Sequence, residues 1–298
     1  MLVYMRIIIM EILRSKQKQK TIKKKIVFHG QSLFSTKDIS MELLPADEDH
    51  GITFNVNGET IPATSDYLNT VELHTTSLSN GKESVIMVEH LLAAIYGLGI
   101  DNIEIRMNQS IVPTQDGSSQ SYAIALNEAG TIEQNKYRNV ITTQDTMEFE
   151  QPEFEGRKAY LKPLDNTFRL TVIAPFDKPI GTHKVQFKDG DDFTKDISWA
   201  RTFLRSPLDL NDLSKWNGIR SVYKALPDNP KDSPIITFTK DEFLTPLKKG
   251  NEPATHKLLD TLGDLCLVGY RIYGDLEIYV PGHKFTHQIA KEIREYIQ

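Results

Sequence analysis

The chain of 298 residues, 39% hydrophobic and 25% charged, has enough apolar material for a buried core, and its length favours one large or two ordinary domains. Its formal charge of −5, from 35 basic and 40 acidic residues, gives no global electrostatic reason to expect a nucleic acid or an anionic membrane as partner. The single cysteine, Cys266, excludes an internal disulfide framework and any multi-cysteine zinc site, so a metal here must use imidazole and carboxylate ligands, and the composition suits a reducing compartment.

The chain begins MLVYMRIIIMEIL and turns basic in RSKQKQKTIKKK, reversing the charged-then-apolar order of a signal peptide. No small-residue cleavage site follows, and Arg6 and Glu11 interrupt an apolar run too short to span a bilayer. Residues 1–20 therefore read as a disordered extension or the product of an upstream start codon, with a weak membrane-surface anchor as the alternative. From residue 21, short strands such as DISMELLP and GITFNV lead to a helix at SVIMVEHLLAAIYGL, ended by Gly97 and Gly99, and then to the strand DNIEIRM. After the polar EQNKYRN near residue 135, strands recur in NVITTQDTMEFE, KAYLKP and FRLTVIAPF, and a second helix comes at ATHKLLDTLGDLCLVGY. Residues 204–253, rich in Pro, Asp, Asn, Lys and Gly, read as loops or an insertion near a ligand.

VEHLLAAIYGLGIDNIEI with its following P-x-x-D-G turn resembles HKLLDTLGDLCLVGYRIYGDLEIYV with its following P-G-H turn and final helix. Two copies of helix, strand, turn, helix imply an α+β fold of two similar domains, 21–134 and 135–298, each a sheet layered on helices, with the site where they meet.

Three places can carry chemistry. In the second helix, His256, Asp260 and Asp264 stand at i, i+4 and i+8, one imidazole and two carboxylates on one face. That stripe is either a solvated helix face or a metal clamp of His256 and Asp260, with Asp264 left to orient another group. In the first helix, Glu89 and His90 interrupt an apolar run and are awkward to bury without partners. They either turn to solvent or place His90 as a third ligand and Glu89 beside a bound water, and His90 and His256 occupy corresponding helices of the repeat. His283 ends the turn after LEIYV and is either a surface residue or an acid presented to a cleft. His29, His50, His74, His183 and His287 receive no role.

Taken together, VEHLLAAIYGLGIDNIEI, PTQDGSS, SWARTF and HKLLDTLGDLCLVG with its later GH resemble, from about residue 21 to the C-terminus, the UDP-3-O-acyl-N-acetylglucosamine deacetylases of lipid A synthesis. The resemblance implies a cytoplasmic, monomeric enzyme that uses zinc to remove the N-acetyl group of an acylated UDP-sugar, with no nucleic-acid partner and no stable membrane insertion. It implies zinc ligands at His90, His256 and Asp260, Glu89 as the base, and His283 as the acid oriented by Asp264. Thr202 would help stabilise the oxyanion, Lys257 would contact substrate, and Phe203 and Phe176 would form part of the substrate surface. The length leaves no room for the dehydratase that some members carry as a fusion.

Departures from the family fall around the substrate. GQSLFST stands where the family has G-x-G-x-H-T-G, so Phe34 replaces a site histidine and Ser32 and Thr36 replace glycines. Met87 replaces a threonine, and Val280 and Pro281 stand where a basic residue is common. Two competing readings follow: a zinc amidohydrolase for another N-acetylated sugar, and an idle binding protein of the same fold. Retention of the whole proposed metal and acid–base set argues against the second.

Overall fold

The computed structural model describes residues 10–69, 75–205 and 233–297. The readings of residues 1–9, of His74 and of residues 206–232 in the loop-rich segment lie outside the described residues. Residues 10–20, expected as a disordered extension, instead belong to strand β1 (Met10–Ile22), which pairs antiparallel with β9 (Thr131–Thr143) from Met10 opposite Thr143 to Ile22 opposite Thr131. Both strands look solvated in sequence because several of their inward positions are polar. Those groups are satisfied: Asn102 donates to Gln19 at 2.9 Å and to Gln134 at 2.7 Å, and Arg138 forks onto Asp101 at 2.7 and 2.8 Å. β9 runs unbroken through the 134/135 division expected between domains.

The rest of the chain builds one unit twice. In the first unit, β2 (Ile26–Ser32), β3 (Ser35–Pro45), β4 (Ile52–Val56), β5 (Glu59–Pro62) and β8 (Ile103–Met107) form a sheet in the order β2-β3-β8-β4-β5. A small hairpin, β6 (Ser77–Ser79) and β7 (Ser84–Ile86), precedes helix α1 (Glu89–Gly97), and α2 (Gln120–Ala129) follows the sheet. In the second, β10 (Met147–Glu150), β11 (Lys158–Lys162), β12 (Phe168–Pro175), β13 (Thr182–Lys188) and β16 (Arg271–Tyr279) pair as β10-β11-β16-β12-β13. Among the described residues its helices are α3 (Phe193–Asp196), α4 (Glu252–Leu265) and α5 (His283–Glu295), with the parallel pair β14 (Phe203–Arg205) and β15 (Ile236–Phe238) between α3 and α4. In each sheet the strand after the central helix, β8 or β16, runs antiparallel to one neighbour and parallel to the other. The β1–β9 ribbon joins the second sheet through β9 and β16.

The first helix is shorter than its sequence pattern predicts. Ser84–Ile86 is extended and pairs with β6, and Met87, at φ 64°, turns the chain so that α1 starts at Glu89. Val85 and Ile86 are β-branched and apolar, so periodicity alone cannot separate strand from helix there. The second helix ends in a 3₁₀ turn, Cys266–Val268, closed by Gly269 at φ 79°, the left-handed conformation glycine supplies at least cost.

Helices α1 and α4 pack against each other, and Leu91, Leu92, Leu258, Leu259 and Leu262 are fully buried. Each such side chain stabilises the fold by roughly 1.5–3 kcal/mol. Cys266 is buried in the same layer, and burial pushes its thiol up to about 12. That shift leaves far less thiolate than an ordinary cysteine has. The folded protein is therefore expected to resist iodoacetamide at pH 8 over a time that fully modifies the urea-unfolded chain, read by mass spectrometry; rapid labelling of the folded protein would show that this layer opens.

Candidate metal and catalytic centre

The i, i+4, i+8 stripe of α4 faces inward: His256, Asp260 and Asp264 are 2%, 5% and 0% exposed. Across from it, the first turn of α1 presents Glu89 and His90, also buried. The two helices approach closely because of Gly263, where a Cβ would lie 2.1 Å from the Glu89 carbonyl oxygen. No side chain fits there, so the crossing brings His90 within reach of the α4 stripe.

Asp260 Oδ1 lies 3.2 Å from His256 Nε2 and 3.5 Å from His90 Nε2, yet it is buried without a hydrogen-bond partner. His256 donates its Nδ1–H to the Ala200 carbonyl at 3.1 Å, which leaves the Nε2 lone pair pointing into the cluster. Burial pushes His256 down to about 3, so the ring is neutral. Asp260 stays well below the usual carboxylate range despite its burial, with Lys257 Nζ 2.9 Å from Oδ2. Electron-pair donors converging on one point make an arrangement that a cation satisfies. Tetrahedral ligation at about 2.0–2.1 Å gives ligand atoms about 3.3 Å apart, close to the spacings seen. His90, His256 and Asp260 therefore fit a metal ion, and their composition of two imidazoles and one carboxylate is that of hydrolytic zinc sites.

Glu89 is held from the residues just before β6: its carboxylate accepts from Thr75 Oγ1 at 2.6 Å and from the Thr76 N–H at 3.0 Å. Each oxygen keeps a lone pair with which to take a proton. His283 opens α5 after Gly282, and its Nδ1–H donates to Asp264 Oδ2 at 2.9 Å. Its Nε2 faces the His90, His256 and Asp260 cluster, 3.7 Å from Asp260 Oδ2. Burial disfavours the His283 cation, but the charges of Asp264 and Asp260 outweigh it and push the imidazole up to about 9. A cation on Asp260 would cancel that residue's share and leave Asp264 as the partner.

The structure gathers the remaining candidates around one cavity of about 290 Å³, lined by Thr202, Phe203, Lys257, Glu89 and His283 together with the metal cluster. Thr202 is fixed from both sides, its N–H on the Gly117 carbonyl and its carbonyl on the Ile236 N–H, each at 2.8 Å. The preceding Arg201 is clamped by Glu252, which is fully buried at the start of α4. Phe203 packs edge-on against His256 and under the Lys257 ammonium, and Phe176 packs edge-on against Phe203 without lining the cavity. Leu33, Phe34 and Met87 give the cavity an apolar wall where Ser32 donates to Met87 Sδ at 3.3 Å. At Val280, where no basic side chain stands, Arg157 reaches in from the β10–β11 turn and donates to the Val280 carbonyl at 3.0 Å.

Sequence reasoning missed Thr75, Thr76, Thr286 and His287, which surround Glu89 and Asp264. Only His287 left a signal: it follows His283 by four residues on one helix. A larger cavity of about 400 Å³ lies elsewhere, but the guanidinium groups of Arg138, Arg271 and Arg294 that line it are already committed to Asp101, to the Tyr96 carbonyl and to Asp66.

Residues 19–295 match the family model described as UDP-3-O-acyl N-acetylglycosamine deacetylase. The chain is 31% identical to a UDP-3-O-acyl-N-acetylglucosamine deacetylase of Ruthia magnifica subsp. Calyptogena magnifica, over 93% of this chain and 89% of that protein. It is similar to proteins of the same description from Aliarcobacter butzleri, at 31% identity over 93% and 90% of the two chains, and from Xylella fastidiosa, at 33% over 92% and 89%.

Proposed function

Since this chain belongs to the UDP-3-O-acyl N-acetylglycosamine deacetylase family, we propose that its buried centre divides the hydrolysis of one acetamide among the residues named above. The protein is a zinc-dependent deacetylase of lipid A biosynthesis, releasing acetate and leaving a free amine on the UDP-sugar. His90, His256 and Asp260 would hold the zinc ion. Bound there, the ion supplies Lewis acidity, polarising a carbonyl and acidifying water near neutral pH.

Glu89 removes a proton from the attacking water, and the two threonine contacts fix its carboxylate for that transfer. Attack on the acetamide carbon places negative charge on its oxygen, to which Thr202 offers its hydroxyl. His283 then gives its Nε2 proton to the departing amine while Nδ1–H stays on Asp264. Lys257 contacts the substrate, its ammonium suited to the diphosphate, and Phe203, backed by Phe176, forms part of the substrate surface. The enzyme works in the cytoplasm, as its family does, and as a monomer. Among the described residues no helix is long and apolar enough to cross a membrane.

The observation that carries this reading is the partnerless Asp260 Oδ1 facing two imidazole nitrogens in a cavity that also holds Glu89 and His283. Its test is acetate release from UDP-3-O-acyl-N-acetylglucosamine before chelation, after chelation and after zinc restoration. Activity is expected to vanish with the metal and return with it. A folded, zinc-loaded protein that leaves this substrate intact but deacetylates another N-acetylated sugar would move the assignment to that sugar, in keeping with Phe34 on the cavity wall.

A further inference from the structure

Asp264 is fully buried and surrounded by donors on both oxygens. On Oδ2 sit His283 Nδ1 at 2.9 Å and the Thr286 hydroxyl; on Oδ1 sit the Thr76 hydroxyl at 2.5 Å and His287 Nε2 at 3.3 Å. His283, Thr286 and His287, at i, i+3 and i+4, put three of these groups on one face of α5. The centre of the arrangement is Thr76 Oγ1, which also lies 2.9 Å from His287 Nε2 and 3.2 Å from His283 Nδ1.

A hydroxyl has one proton, and an ionised carboxylate can only accept. The burial of Asp264 opposes its charge, yet its neighbours His283 and His287 hold it below the usual carboxylate range. The Thr76 proton therefore goes to Asp264 Oδ1, and Thr76 must accept from His287 Nε2–H. A chain results: His287 donates to Thr76, Thr76 donates to Oδ1, and His283 donates to Oδ2. A hydroxyl oxygen has two acceptor lone pairs, so the Thr76 hydroxyl is fixed between Asp264, His287 and, at 3.2 Å, His283; without the His287 N–H it loses one of these anchors and can turn toward the ring, drawing the only proton on His283 Nδ1 off Asp264.

We propose that His287 is a positioning residue for His283, anchoring the Thr76 hydroxyl so that His283 Nδ1–H stays on Asp264 and Nε2 stays aimed at the reaction site. The inference rests on the reading of His283 as the proton donor. A displacement of about 1 Å in a catalytic group costs up to 10²-fold in rate, so the effect falls on kcat.

The test compares His287→Leu, which removes the donor, with His287→Gln, whose terminal amide reaches the place of Nε2. Full-length, zinc-loaded protein is assayed for acetate release, with metal content measured and the His283 Nδ1–H proton followed by NMR. His287→Leu is expected to lower kcat about tenfold with KM and zinc content unchanged and to weaken the hydrogen-bonded Nδ1–H resonance, and His287→Gln to restore both. If the leucine variant does not fold, His287→Asn takes its place, its shorter amide stopping at the position of Nδ1. Equal behaviour of the donor and non-donor variants would overturn the proposal. If the wild-type protein fails to turn over the acylated UDP-sugar, the deacetylase reading falls, and the resonance comparison alone decides the role of His287.

Discussion

Glu89→Gln is expected to lower kcat by about 10³-fold, within the 10²–10⁴ that a positioned general base contributes, with zinc content unchanged. The substitution conserves volume in a residue only 4% exposed, so a loss of rate cannot be assigned to a cavity. Glutamine can still accept one of the two hydrogen bonds, from Thr75 or from the Thr76 N–H, but its amide cannot take a proton from water. Because Glu89 is not among the three residues whose ligand atoms converge, metal binding is expected to survive, and metal analysis separates the two roles. A variant that retains more than about a tenth of wild-type kcat would transfer the base to another group, His283 first.

Gly263→Ala is expected to cost roughly 3 kcal/mol of stability and to weaken zinc binding at least tenfold. Overpacking of this kind typically costs 1–3 kcal/mol and occasionally more, and here the clash is with backbone, the Glu89 carbonyl at 2.1 Å and its carbon at 2.8 Å, rather than with the end of a flexible side chain. Relief requires α1 and α4 to separate, and His90 rides on α1 while His256 and Asp260 ride on α4. A methyl group thus loosens both the fold and the ligand set. Gly250→Ala is the control: nothing lies within 4 Å of its Cβ position, and an exposed change of that sort stays within about 0.5 kcal/mol. Thermal melting and competition with a chelator measure the two effects. A Gly263→Ala protein with wild-type melting and zinc affinity would mean that the crossing is not what sets the ligand geometry.

The centre was legible in sequence where its residues share a helix. His256, Asp260 and Asp264 declare themselves by spacing, and Glu89 and His90 by interrupting an apolar run. The repeat was equally readable, because α1 and α4, each with its following strand, obey the same pattern of apolar and turn residues. What could not be read were groups that arrive from loops. Thr76 meets Asp264 from 188 residues away, and a threonine in a polar stretch carries no local sign of its partner. Gly263 looks like a flaw in a helix until its neighbour is known. The ribbon of β1 and β9 was hidden for a different reason: burial of Gln19, Asn102 and Arg138 is tolerated only because they satisfy one another or their neighbours, so neither strand shows hydrophobic alternation alone.

That ribbon also sets a timetable. Ile22 pairs with Thr131 and Met10 with Thr143, so β1 waits for a partner over roughly a hundred residues, or about 5–25 seconds at ribosomal speed. Contacts so distant along the chain also slow folding itself, since the intervening loop must close before they form. Through that interval β1 is an unpaired strand carrying Ile12 and Leu13, a template for pairing with other nascent chains. Arg14, Lys16, Lys18 and Lys20 interleave its remaining length with positive charge, the means by which edge strands resist such pairing. Like charges on two such segments repel, which opposes their pairing.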